Sequence, residues 1–201
     1  MLYFQKQNLV LFATPKTAST SLEAALAPHA DIVLQGDPRI KHCTFHRYRW
    51  RFEKFLRIFT ASPPETVALI REPEDWLGSW FRFRHGSWLN GTERSTRGKS
   101  FDEFVAGYIQ VPKPEFAAVG SQSAFLTHPK IDDDQVQTLW RYDAMPAFTE
   151  WLQERLGVQL DLPQKNVSPK FDTPLSDDLR AKLRTHCARD FALYDGARGA
   201  P

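Results

Sequence analysis

The chain has 201 residues, of which 42% are hydrophobic, 13% aromatic and 25% charged. That suffices for one sizeable core and not for two, so one domain over 1–201 is expected, and disordered, collagenous and low-complexity classes are excluded. The net charge of +2 conceals a split: residues 1–100 carry 15 Lys and Arg against 9 Asp and Glu, a balance of +6, and residues 101–201 carry 11 against 15, a balance of −4. A basic first half points to an anionic ligand held there, with a merely solvated charged surface as the alternative.

Residues 9–13, Leu-Val-Leu-Phe-Ala, read as a short buried strand, followed at once by TPKTASTS and then by the helix-forming run 22–26. Strand, tight turn and helix open an α/β unit, with the turn at the carboxyl edge of a parallel sheet. Between Phe45 and Phe59, the apolar residues Phe45, Tyr48, Phe52, Phe55, Leu56 and Phe59 recur at helical spacing. This predicts a helix with its aromatics in the core and Arg47, Arg51, Lys54 and Arg57 on a solvated rim. A second strand is predicted over 66–70, ending at Arg71-Glu-Pro73, with Pro73 suited to the first turn of a helix to about Phe83. Residues 85–99, rich in Gly, Ser, Thr and Arg, read as a mobile loop. Ser100 with Glu103 is a capping-box signature for a helix to about Ile109. Residues 136–142 make a third strand, 145–156 an amphipathic helix, and one last helix runs from about Ser176 to Tyr194. Strands alternating with helices predict a single three-layer α/β domain whose central sheet is mainly parallel.

Cys43 and Cys187 stand in no metal-like or redox-like spacing, which argues against a disulfide framework or a cysteine zinc site. Asp132-Asp133-Asp134 lacks the alternate ligands of a calcium loop and reads as a turn before the third strand. The stretch 9–13 is too short for a membrane span or a signal-peptide core, so a cytoplasmic protein with no membrane partner is expected. The triplets Asn90-Gly-Thr92 and Asn166-Val-Ser168 carry no weight as glycosylation sites without a secretory signal. Oligomeric state is not readable.

TPKTASTS lacks both glycines of the nucleotide-binding pattern GxxxxGK[ST] but shares its physical plan. Thr14, Thr17, Ser19, Thr20 and Ser21 supply hydroxyls, and amides opening a helix attract oxyanions because they are unpaired and the dipole is positive there. Lys16 adds a full charge in the turn. Hydroxyls that merely cap the helix are the plainer alternative.

The run Pro15-Lys16-Thr17-Ala18-Ser19-Thr20-Ser21 resembles the 5′-phosphosulfate-binding loop of sulfotransferases that use 3′-phosphoadenosine-5′-phosphosulfate (PAPS). The second signature of that family, an arginine followed eight positions on by a serine after a later strand, is matched by Arg71 and Ser79. Gln122-Ser-Ala-Phe-Leu126, Arg141-Tyr-Asp143, Asn166-Val-Ser168 and Asp190-Phe-Ala-Leu-Tyr194 look like landmarks of the carbohydrate-type branch. Ala18 departs from the usual glycine; a right-handed helical conformation, which alanine tolerates, is expected there.

The resemblance implies a P-loop NTPase-like fold, PAPS as co-substrate with adenosine 3′,5′-bisphosphate as product, and a hydroxyl acceptor, a carbohydrate or a small molecule. Pro15 to Ser21 would hold the 5′-phosphate, with Lys16 stabilising charge on the leaving oxygen. Arg71 and Ser79 would grip the 3′-phosphate; an ion pair of Arg71 with Glu72, Glu74 or Asp75 is the competing role. Among six histidines, His42 is the chosen base, because Lys41-His-Cys-Thr44 follows a turn and family members place a histidine in a comparable segment. His46 is in reserve, and Glu23 or Asp143 could serve instead. No metal is required. Two rivals remain: a nucleotide kinase, disfavoured by the missing glycines, and a non-catalytic polyanion- or nucleic-acid-binding module. The interleaved aromatics and arginines after His46 come with no nucleic-acid-binding signature, and no nucleic-acid partner is expected.

Overall fold

The structure is a computed structural model and describes residues 1–162 and 171–199. The landmark at 166–168 lies outside the described residues. Five strands form one sheet: β1 (Leu2–Phe4), β2 (Leu9–Leu11), β3 (Ile32–Val33), β4 (Glu65–Ile70) and β5 (Thr138–Arg141), in the order β3-β1-β2-β4-β5. Helices follow as α1 (Ser19–Leu26), α2 (Pro38–Lys41), α3 (Phe45–Arg47), α4 (Glu53–Leu56), α5 (Pro73–Arg84), α6 (Phe101–Ile109), α7 (Gln122–Leu126), α8 (Met145–Leu156), α9 (Asp177–His186) and α10 (Ala188–Asp195).

The α/β class stands, but the expectation of a mainly parallel sheet is corrected. β2 pairs parallel with β4 and β4 with β5, whereas β1 runs antiparallel to both β2 and β3. The cause is a hairpin. Asn8, at φ 48°, donates its N–H to the Gln5 carbonyl at 3.0 Å and turns the chain back on itself. A strand of three residues and one of two are too short to show a period of their own.

Alternation along the strands builds two cores. Val10, Phe12, Ala68, Ile70 and Leu139 face one side, where Phe45, Tyr48 and Phe125 cover them. Leu9, Leu11, Val67, Leu69 and Trp140 face the other, beneath Leu22 and Leu26 of α1 and Phe148 and Leu152 of α8. Each buried Leu or Phe contributes about 1.5–3 kcal/mol relative to exposure. A third cluster joins α5, α6, α9 and α10 through Trp76, Leu77, Phe81, Phe104, Leu183 and Phe191.

Two helices differ from expectation. The helix over 45–59 is interrupted by a π-helical turn, Tyr48–Phe52, and its last regular segment ends at Leu56. The wider turn shifts the buried stripe. Phe45, Tyr48 and Leu56 are buried, but Phe55 and Phe59 are 48% and 54% exposed. The C-terminal helix is two helices broken at Cys187, whose φ of −104° and ψ of 24° leave the helical region. By contrast, α8 matches its predicted limits, and α6 carries the capping box. Ser100 donates its N–H to Glu103 at 2.7 Å, and Glu103 donates its own to the Ser100 hydroxyl at 3.1 Å. Asp133, at φ 61°, lies in the loop before β5, where Asp134 pairs with Arg49. No helix of the described residues is long and apolar enough to cross a membrane.

Candidate functional site

The three parallel strands release the chain at one edge of the sheet. Thr14 to Ala18 follow β2, Arg71 follows β4 and Tyr142 follows β5. In open α/β sheets the carboxyl edge is where ligands collect.

The loop after β2 is held in an unusual shape. Lys16 and Ala18 both take left-handed backbone conformations, at φ 68° and 55°. The right-handed expectation for Ala18 is therefore corrected: the position has the geometry that glycine serves elsewhere, and alanine pays about 1–2 kcal/mol for it. Two neighbours fix the turn. Trp76 of α5 donates its indole N–H to the Pro15 carbonyl at 3.0 Å, and the Thr17 hydroxyl donates to the Thr14 carbonyl at 2.9 Å. Thr17 thus turns its side chain inward. The N–H groups of Thr17, Ala18, Ser19 and Thr20 have no hydrogen-bond acceptor among the described residues. Four successive donors at the start of α1 form a concave, positive nest. Ser19 and Ser21 are buried at the same turn.

Lys16, in the same turn, sends its side chain onto the aromatic rings of α5. Its Nζ lies 4.2 Å from the Phe83 ring centre and 5.5 Å from that of Trp80. No carboxylate pairs with it among the described residues. Burial first, then the Arg71 and Arg82 guanidinium groups, pull its pKa down to about 8. Such a concentration of cations favours an anion.

Arg71 arrives from β4 and donates through Nη1 to the Lys16 carbonyl at 3.1 Å. Its Nε and Nη2 engage Asp75 of α5, with Nη2 to Oδ1 at 2.9 Å, so the ion pair anticipated as the competing role is formed with Asp75. Asp75 also meets Arg82 at 3.5 Å. Ser79 is buried in α5 four residues beyond Asp75, on the helix face that carries Asp75 and Arg82.

Beside Arg71, three of the landmark segments, distant from one another in sequence, converge. Gln122 accepts the Arg71 N–H at 2.9 Å and donates to the Arg71 carbonyl at 2.7 Å. The buried Asp190 accepts the N–H groups of Gln122 and Ser123, each at 3.0 Å. Tyr142 stacks on Arg71, its ring centre 4.6 Å from the guanidinium, and Tyr194 donates to Asp143 at 2.9 Å. Asp143 therefore has a partner and sits on the rim.

His42 reaches the loop from below. Its Nδ1 lies 2.6 Å from the Ala13 carbonyl, which can only accept, so Nδ1 carries the proton and Nε2 the lone pair. Burial lowers its pKa below 6.5, keeping the ring neutral at pH 7. The adjacent Lys41 donates to the Thr20 hydroxyl at 3.1 Å and pairs with Glu23 at 3.2 Å, which ties up Glu23. His46 goes elsewhere: its ring packs on His128 at 4.7 Å and lines a separate cleft with Arg49 and Trp50. Lys41, Asp75, Arg82 and Gln122 were not singled out as site residues from sequence. Asp75 was anticipated only as an ion-pair partner of Arg71, Lys41 only as the neighbour of His42 and Gln122 only as the start of a landmark segment, whereas Arg82 left no signal beyond lying seven residues from Asp75 on one helix face.

Comparison with family models, curated proteins and solved structures yields no match.

Proposed function

We propose that the chain is a PAPS-dependent sulfotransferase acting on a hydroxyl acceptor, with a P-loop NTPase-like arrangement of its binding loop. The observation that carries this reading is the meeting of the Lys16 turn and Arg71 at 3.1 Å, beside four backbone donors without acceptors. An ATP-type loop would need glycines here. This turn instead takes left-handed backbone conformations at Lys16 and Ala18.

The residues fit a ligand with two separated phosphates. The nest of residues 17–20 would take the 5′-phosphate, and Arg71, exchanging Asp75 for ligand, would take the 3′-phosphate with Ser79 beside it. PAPS supplies the sulfuryl group: the acceptor oxygen bonds to sulfur as the bond from sulfur to the phosphate oxygen breaks, and the electron pair stays on that oxygen. Lys16 stabilises the charge that grows there, an electrostatic role worth several kcal/mol in a partly desolvated site. His42 Nε2 accepts the acceptor proton.

Calorimetric titration with adenosine 3′,5′-bisphosphate and with 5′-AMP tests the reading. Wild type is expected to prefer the bisphosphate, and Arg71→Ala to lose about 10- to 100-fold of that affinity while binding 5′-AMP as before. Equal, weak binding of both nucleotides by wild type refutes the assignment and leaves a general polyanion binder.

A further inference from the structure

The loop after α5 carries an exposed aromatic surface one ring away from Lys16. Phe83, over which the Lys16 ammonium sits at 4.2 Å, contacts Trp88 with ring centres 5.3 Å apart. Trp88 lies in a 3₁₀ turn, Ser87–Leu89, and is 60% exposed. Its back is covered by Gly86. A Cβ added to Gly86 would lie 2.3 Å from Cη2 and 2.4 Å from Cζ2 and Cζ3 of the indole, so the ring rests directly on the glycine backbone. Hydrogen bonds from the Gly86 N–H to the Phe83 carbonyl at 3.2 Å and from the Leu89 N–H to the Gly86 carbonyl at 3.1 Å pin the turn. Farther along, Arg97 donates to the His85 carbonyl at 3.1 Å and Thr96 to that of Phe81 at 2.9 Å, fastening the returning strand of the loop. The indole is therefore a positioned plane with one open face. Two residues on, a cleft of about 620 Å³ begins at Asn90, lined by Thr92, Glu93, Ser95, Arg97 and Lys99.

We propose that Trp88 is the stacking platform of the acceptor subsite, that the acceptor is a pyranose sugar, and that the cleft beyond Asn90 takes further sugar units. This rests on the sulfotransferase reading. An aromatic acceptor gains most where both its faces are enclosed by apolar groups. A single open indole, two residues along the chain from a cleft that carries hydroxyl, amide and oppositely charged side chains, instead suits a ring with one apolar C–H face and a rim of hydroxyls. The cleft offers donors and acceptors of both signs, as an uncharged, hydroxyl-rich chain requires. Gly86 then has a defined task, because only a residue without Cβ lets the indole rest against its backbone.

The test measures transfer from ³⁵S-labelled PAPS to cellotriose, chitotriose, maltotriose and 4-nitrophenol, with the affinity for adenosine 3′,5′-bisphosphate measured in parallel. Wild type, Trp88→Ala, Trp88→Phe and Gly86→Ala are compared. Expected is transfer to at least one trisaccharide, with KM for it raised about tenfold by Trp88→Ala and by Gly86→Ala, largely restored by Trp88→Phe, and nucleotide affinity within about twofold throughout. Unchanged KM in both Trp88→Ala and Gly86→Ala overturns the platform. Transfer to 4-nitrophenol alone, or to none of the sugars while the bisphosphate binds, overturns the sugar assignment. Failure of wild type to bind the bisphosphate removes the sulfotransferase reading itself, and this proposal with it.

Discussion

The Arg71 guanidinium donates to the Lys16 carbonyl at 3.1 Å, joining two turns that stand 55 residues apart. The contact uses only one arm of the arginine. Its other two nitrogens hold Asp75, so the site is braced internally by a carboxylate, which in the proposed complex gives way to a phosphate.

Asp75→Asn removes this competitor while keeping the shape of the side chain. Because Asp75 is half exposed, the pair is worth only a fraction of a kcal/mol to about 1 kcal/mol. Adenosine 3′,5′-bisphosphate is expected to bind about two- to fivefold tighter, read by titration calorimetry. Weaker binding would show that Asp75 orients Arg71 for the ligand instead of opposing it.

In the proposed reaction, the pH dependence of turnover follows from Lys16 and His42. His42 must be neutral to accept a proton, and burial places its titration below 6.5, so the rate rises with pH through that acidic limb. Lys16 must be charged, so the rate falls as pH passes about 8, the value for the protein without nucleotide. His42→Ala is expected to erase the acidic limb and lower kcat by about 10²- to 10⁴-fold. Lys16→Ala should lower it by about 10²- to 10³-fold with nucleotide binding retained. An acidic limb that survives in His42→Ala assigns the base to another group.

Folding stability carries the opposite sign for Lys16. A lysine whose folded pKa lies below its unfolded value of 10.5 binds fewer protons in the native state between about pH 8 and that value. Stability therefore rises with pH across this window, and Lys16→Met removes the dependence and stabilises the protein by about 1 kcal/mol. Thermal melts at pH 7, 8 and 9 check both statements; a flat wild-type profile contradicts the buried charge.

Ala18→Gly relieves the left-handed strain at φ 55°. Against the greater freedom of glycine in the unfolded chain, a net gain of about 0.5–1 kcal/mol is expected. Denaturant unfolding reads it, and a loss of stability would mean that the alanine methyl packs usefully in the turn.

Asp190→Ala deprives two N–H groups of α7 of their acceptor inside the protein. A cost of about 2–3 kcal/mol is expected, together with weaker nucleotide binding, because Gln122 holds the Arg71 backbone from the same turn. A destabilised variant with unaltered affinity would separate the cap from the site.

Local chemistry announced much of this molecule. Leu9 to Leu11 and Thr66 to Ile70 are buried on both faces and read as strands from composition alone, and Ser100 with Glu103 marks a helix start by hydrogen bonds made within one turn. The run of hydroxyls around Lys16 likewise marks a tight turn opening a helix, since the groups that form it belong to consecutive residues. What escaped is what depends on distance. The hairpin that makes the sheet mixed pairs strands too short to carry a period, and the π-helical turn that exposes Phe55 and Phe59 is a backbone adjustment that spacing cannot show.

The sequence by itself determined which groups are chemically able to act: Lys16 after a buried strand, Arg71 after another, and a histidine within reach of a turn. The tertiary structure alone decided how those groups are poised. It brought Arg71 onto the Lys16 carbonyl, set Asp75 across it, and placed two guanidinium groups close enough to lower the Lys16 pKa to about 8. It also separated His42 from His46, setting the former 2.6 Å from the Ala13 carbonyl that fixes its tautomer and the latter against His128. Charge identity is a property of a residue, whereas its pKa, tautomer and partner are properties of the neighbours that folding supplies.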